Sequence, residues 1–96
     1  MLLEIITPET KVLSEKASAV QLPGLDGSFQ VLNNHAPIIS SLTQGEIKVN
    51  LETPIEDEES LHATVRTDET NKAVVYVKIN GGVIEMSNNK VIILAE

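Results

Sequence analysis

The chain has 96 residues, with 14 acidic against seven basic side chains for a net charge of −7. That length holds one domain and one core, while that charge argues against nucleic-acid binding by counterion release and against attraction to an anionic membrane. There is no cysteine, hence no disulfide, thiolate nucleophile or Cys-ligated metal, and with a single Phe and a single Tyr the core must be aliphatic.

The opening "MLLEIITPET" reads as a strand. Its apolar patch is short, broken by Glu4 and without basic residues before it, so neither a secretory nor a transit signal is expected. No apolar run reaches the roughly 18 residues that a membrane-spanning helix needs.

Between Gln21 and Ser41 the chain reads "QLPGLDGSFQVLNNHAPIISS". Gly24 and Gly27 invite comparison with phosphate-binding loops, but no lysine follows, Asp26 lies inside the loop and a strand comes next. A structural turn is expected instead, with Pro23 fixing φ and glycine taking conformations closed to other residues. Further on, Pro37 forces Ala36 to be extended and stiffens the segment from His35. His35 is expected to pack against or bond local backbone, with a partner contact as the alternative.

The turn Thr43-Gln44-Gly45 introduces a run in which Ile47, Val49 and Leu51 alternate with Glu46, Lys48 and Asn50, as a strand with one wet face does. Composition then shifts over residues 52–72. The acidic cluster Glu56-Asp57-Glu58-Glu59 reads as a solvated loop whose like charges keep a hairpin tip mobile, with contact to a cation or a basic partner as the alternative. Leu61, Ala63 and Val65 alternate with His62, Thr64 and Arg66, which predicts another half-wet strand. Val74 to Val77 and Val91 to Leu94 are apolar on both faces and predict strands covered on both sides. Turn signals at Asn80-Gly81-Gly82 and Asn88-Asn89 separate these last strands, the second predicting a tight hairpin.

No segment sustains the helical period. The expectation is a single all-β domain over residues 1–96, a flattened sandwich or barrel of about ten short, mostly antiparallel strands. Chemistry is not expected of it. His35 and His62 lie far apart with no neighbouring ligand, whereas zinc needs about three from the protein. Ser28, Ser40, Ser41, Ser60 and Ser87 sit in no activating motif. No catalytic residue, cofactor or metal is assigned, and the residues alone reach an acidic β-domain that binds protein.

The order and spacing of several motifs carry more. "EIITPE", "QLPGLDGSFQVLNNHAPIISSL", the strand start Gly45-Glu46-Ile47 and "INGGVIEMSNNKVIILAE" together resemble the epsilon subunit of bacterial and plastid F-type ATP synthases, the delta subunit of mitochondria. The resemblance implies a β-sandwich at the foot of the rotating central stalk, packed on the gamma subunit and resting on the polar loops of the c-ring. It implies a non-catalytic subunit, peripheral on the cytoplasmic side of the bacterial inner membrane. Thr7, His35 and Ser40 match places where the family contacts gamma; the turn Leu25, Asp26, Gly27 and Ser28 matches the part facing the c-ring. Pro23, Gly24, Pro37, Gly81 and Gly82 are expected as structural turn residues.

Three departures accompany the likeness. Asn33-Asn34 stands where the family commonly has Pro-Gly, and Asn34 is able to adopt the left-handed conformation that glycine would supply. The acidic segment is longer than usual. Many members continue beyond the position of Glu96 into a two-helix hairpin that senses ATP or inhibits hydrolysis, and neither property is expected of residues 1–96. The alternative from another class is a free-standing β-sandwich that binds protein, calcium or carbohydrate, the last disfavoured by the scarcity of aromatic rings. If gamma is held, a contiguous exposed apolar patch is expected.

Overall fold

The computed structural model describes all residues 1–96 and is built of strands. Nine are present: β1 (Leu2–Ile6), β2 (Lys11–Gly24), β3 (Gly27–Leu32), β4 (Ile38–Leu42), β5 (Gly45–Leu51), β6 (Val65–Thr67), β7 (Val74–Ile79), β8 (Gly82–Ser87) and β9 (Lys90–Ala95). One 3-10 turn, Glu58–Ser60, is the only helical element. No helix is long and apolar enough to cross a membrane.

β2 organises the sheet. Its first half pairs antiparallel with β1, from Leu2↔Lys16 to Ile6↔Lys11. At Ala17 to Ala19 the register slips, and the second half pairs with β5 on one edge and β3 on the other. A long strand that changes partners at an irregularity is how a sheet turns a corner. The hydrogen-bonded order β1-β9-β8-β4-β2 then returns to β1 and closes a ring, while β5, β7 and β6 extend from β2. Only β1 and β9 run parallel.

Inside lies one cluster of 22 buried residues, almost all aliphatic. Leu3, Ile5, Ile84, Ile93 and Val91 close it from the ring, and Ile47, Val49, Val75 and Val77 from the extension. The predicted alternation in β5 holds, with Ile47, Val49 and Leu51 buried. Asn88 and Asn89 have φ of 51° and 58°, the pair of positive values that a two-residue hairpin turn demands, and Asn34 is left-handed at 62°.

Several expectations require correction. The strand read over Leu61 to Arg66 is confined to Val65–Thr67. Upstream, the Asp57 carboxylate accepts from the Glu59 N–H and caps the 3-10 turn, and the His62 ring meets Thr64 through its hydroxyl at 2.9 Å and its N–H at 3.2 Å. These local bonds give the backbone an alternative to a ladder, so apparent alternation there does not become a strand. Pro23 and Gly24 belong to the end of β2 rather than to a turn; Leu25 and Asp26 make the bend. Proline is tolerated at that strand end, where its carbonyl accepts from the Thr43 N–H at 2.8 Å. Gly81 and Gly82 are the expected turn, with φ of 136° and 150°. A Cβ on Gly82 would collide with the Leu94 carbonyl oxygen, so only glycine lets β8 start so close to β9. Finally, β7 is covered as predicted over Val74 and Val75, but β9 is not, for Leu94 is exposed.

Candidate protein-docking site

The turn from Gly24 to Phe29 and residues 39–41 of β4 form the two walls of an open cleft of about 500 Å³. Thus Leu25, Asp26, Gly27 and Ser28 lie together with Ser40, although the resemblance assigns them to different partners. Gly24 makes the tight approach possible, since a Cβ there would meet the Phe29 ring at 2.9 Å. Gln21 Nε2 donates to Ser28 Oγ at 3.1 Å and ties the turn to β2. Ser40 is half-buried, paired with Ile84 on the core side of β4, whereas its neighbours Ile39 and Ser41 face outward. Asp26 is the sole ionisable side chain of the lining. Such a cleft can bind but holds no acid/base pair.

Thr7 and His35 lie elsewhere. The Thr7 hydroxyl and N–H both bond the Thr10 carbonyl, and Thr7 lines a second groove with Ile6, Pro8, Val83 and Leu94. His35 is exposed in the loop before β4, its Nδ1 2.7 Å from the Ala36 carbonyl oxygen, the local bonding that the sequence predicts. The preceding residue fastens this loop: the Asn34 N–H donates to Asn89 Oδ1 at 2.8 Å.

A surface that the sequence pattern does not reveal joins the second groove. Residues opposite one another in adjacent strands share a face. On the outer side of the ring, Ile6 pairs with Leu94, Leu94 with Val83 and Val83 with Ser41; the next row runs Glu4, Ile92, Glu85 and Ile39. Ile39 is 76% exposed, Leu94 56% and Val83 40%. The available signal was the doubly apolar run Val91 to Leu94, whose outward half proves uncovered. Glu4 on this face is neutralised by Lys11 at 2.6 Å and Lys90 at 3.3 Å. These bonds, that of Lys11 first, hold its carboxyl below the usual range.

The acidic segment behaves differently. Glu58 accepts from Lys72 at 2.8 Å and from the Thr67 hydroxyl, which together lower its pKa. Asp68 accepts from the Thr70 hydroxyl and N–H and from the Tyr76 hydroxyl; these bonds lower its pKa, and the last raises that of Tyr76. Arg66 lies 4.3 Å from the Tyr76 ring centre and reaches Glu46 at 3.4 Å. Glu58 and Asp68 are thus engaged internally, whereas the side chains of Glu56, Glu59 and Glu69 enter no ion pair or hydrogen bond.

Comparison with known proteins agrees with this architecture. Residues 1–63 match the family model for the ATP synthase delta/epsilon chain, beta-sandwich domain. The chain is similar to the ATP synthase epsilon chain of Maridesulfovibrio salexigens, 36% identical over 96 residues that take in all of this chain and 54% of that relative, so it spans about half the relative's length. It is 33% identical over 94 residues to the epsilon chain of Chlorobium limicola, covering 98% of this chain and 86% of the relative. In fold it matches a chain in the cryo-EM structure of the central stalk and c-ring of the Tetrahymena thermophila mitochondrial ATP synthase, with a TM-score of 0.71 and 14% identity over 99% of this chain and 62% of that one. The ring-closing β-sandwich and the family match agree along the chain, which belongs to the delta/epsilon chain family of ATP synthases through its beta-sandwich domain.

Proposed function

We propose that this chain is a non-catalytic rotor subunit of an F-type ATP synthase, coupling the gamma subunit of the central stalk to the polar loops of the c-ring during ATP synthesis and ion transport. It would sit peripherally on the cytoplasmic side of the bacterial inner membrane as part of that complex. The observation that carries this reading is the cleft itself: the Leu25–Ser28 turn, which leads into β3, and Ser40, in the middle of β4, line one concavity although a whole strand and a loop separate them in the chain. Ser40, one of the three candidate stalk contacts, thereby shares a stiff corner with the candidate ring contacts.

Mechanically, this arrangement suits a coupling. A close-packed interior deforms little, and turns held by rigid strands present their groups in fixed geometry. Force applied at the Leu25–Ser28 turn passes through β2 into the ring and the extension together, because β2 pairs with strands of both. Ser40 and Thr7 would meet gamma at two separate places on this body, with His35 on the loop between β3 and β4.

The test is co-purification with the matching gamma subunit, which should recover a one-to-one complex. Ser40→Arg places a long cation where a half-buried hydroxyl stands, and is expected to weaken the complex about tenfold or more, roughly 1.4 kcal/mol; His35→Glu should weaken it less. Gamma that fails to bind the wild-type chain would remove this reading. For residues 1–96, calorimetric titration with ATP should show no micromolar site.

A further inference from the structure

We infer that the Asn80-Gly81 corner between β7 and β8 is a self-modification site, at which the Gly81 nitrogen attacks the Asn80 side-chain amide and water then converts the asparagine to aspartate and isoaspartate. This chemistry is independent of the rotor reading.

The sequence has seven asparagines, and only Asn80 is followed by glycine. Reaction requires the nitrogen of the following residue to reach the side-chain carbon Cγ, and glycine puts no Cβ in the way. It also requires an asparagine side chain that is free to swing. Asn33 Oδ1 accepts from the Met1 nitrogen, Asn71 Oδ1 from the Ala73 N–H and Asn89 Oδ1 from the Asn34 N–H. Asn50 lies inside β5, paired with β2 on one side and β7 on the other. The Asn34 and Asn88 side chains are unbonded, but His35 and Asn89 follow them and crowd the attacking nitrogen.

Local geometry leaves Asn80 open to attack. It is exposed, and its side chain takes part in no hydrogen bond of the molecule. Its own N–H reaches the Glu96 carbonyl oxygen only at 3.4 Å, beyond the usual range of a good hydrogen bond. The Gly81 N–H, which becomes the nucleophile, donates to no acceptor, so no bond has to be broken to free it. On its other side Gly81 is fixed, since its carbonyl accepts from the Glu96 N–H at 3.0 Å. The asparagine thus moves against an anchored nitrogen.

Hydroxide takes the Gly81 amide proton, the nitrogen lone pair forms a bond to Asn80 Cγ, and the bond from Cγ to the side-chain nitrogen breaks, ammonia leaving with a proton from water. Water then opens the resulting cyclic imide at either carbonyl. Breaking the new bond to Cγ gives aspartate, whereas breaking the original peptide bond gives isoaspartate, whose main chain runs through the side-chain methylene. Nothing is oxidised or reduced. Either product adds a negative charge to a chain already at −7. Isoaspartate also lengthens the main chain by a carbon at the entry to β8, where Gly82 packs so tightly on the Leu94 carbonyl that no Cβ fits. That strains both the Glu96-to-Gly81 bond and the pairing of β8 with β9.

The experiment incubates the full chain at neutral and alkaline pH and follows every asparagine by peptide mass mapping, with an isoaspartyl methyltransferase and a labelled methyl donor as the probe for isoaspartate. Asn80 is expected to convert about tenfold faster or more than any other asparagine, faster still at alkaline pH, with label in its peptide and a lower melting temperature for the labelled fraction. Asn80→Ser should take up no label and should melt as the fresh wild type does. Asn80→Asp, which carries the charge without the longer main chain, should melt above the isoaspartate form. Earlier conversion of another asparagine would overturn the assignment. Conversion of Asn80 in denaturant but not in the folded chain would show that the fold protects this corner, and would overturn it as well.

Discussion

Two surfaces of this molecule set their carboxylates in different company. On the outer side of the ring, apolar side chains stand in rows and Glu85 has no partner within the chain. In the segment from Glu52 to Lys72, which is far richer in acids, Glu58 is bonded to Lys72 and Thr67, and Asp68 to Thr70 and Tyr76. The lesson is that acidic content by itself does not tell which carboxylates of a segment are engaged and which stay free. A carboxylate already engaged has little left to offer, whereas an unpaired carboxylate among exposed apolar groups remains free to bond a group from outside the chain.

The comparison can be broken at its base, since both surfaces rest on one core. Ile93 is fully buried beneath the outer face, and Ile93→Ala is expected to cost about 2–5 kcal/mol. Both regions should unfold in a single transition on chemical denaturation; two separate transitions would show that they do not share a core. A slightly smaller loss, about 2–3 kcal/mol, is expected for Gly82→Ala, which combines a positive φ with a clash against backbone. Its melting temperature should fall by more than that of Gly27→Ala, where the added Cβ meets open space.

Acid sharpens the contrast. Glu4, Glu58 and Asp68 titrate below the ordinary carboxylate range in the folded chain. A depressed folded pKa contributes stability that is present above the unfolded value and lost as pH falls through the folded one. Melting temperature should therefore hold from neutrality down to about pH 5 and fall as pH drops below about 4. Lys72→Met should reduce the part of that acid loss that comes from Glu58, measured as a shallower decline, without changing affinity for gamma. The smallest effect is expected of Arg66→Lys, which keeps the charge near Glu46 but loses the flat stacking over Tyr76; its melting temperature at neutral pH should barely move.

Much of the fold was legible. Strict alternation identified β5, the Asn88-Asn89 pair identified the last hairpin, and Asn34 took the left-handed conformation that asparagine leaves open. Alternation misled at Leu61 to Thr64, because the sequence pattern does not show that His62 and Thr64 bond each other. Of the candidate contact residues, motif order picked out Thr7, His35, Ser40 and the Leu25–Ser28 turn. It could not show that Ser40 shares a cleft with that turn, nor that Thr7 opens onto a different groove.

By itself the order of residues determined the class of structure, the aliphatic nature of the core and the positions of the Gly81-Gly82 and Asn88-Asn89 turns, because each depends on neighbours a few positions apart. Only the tertiary structure decided which apolar side chains stay outside. Leu94 and Ile93 are equally apolar and adjacent in the chain, yet one is exposed and the other buried, since strand pairing turns successive residues to opposite faces and β1 and β8 flank β9 without covering its outer side. That choice of face, made by pairing between distant segments, is what places Glu85 among uncovered apolar groups.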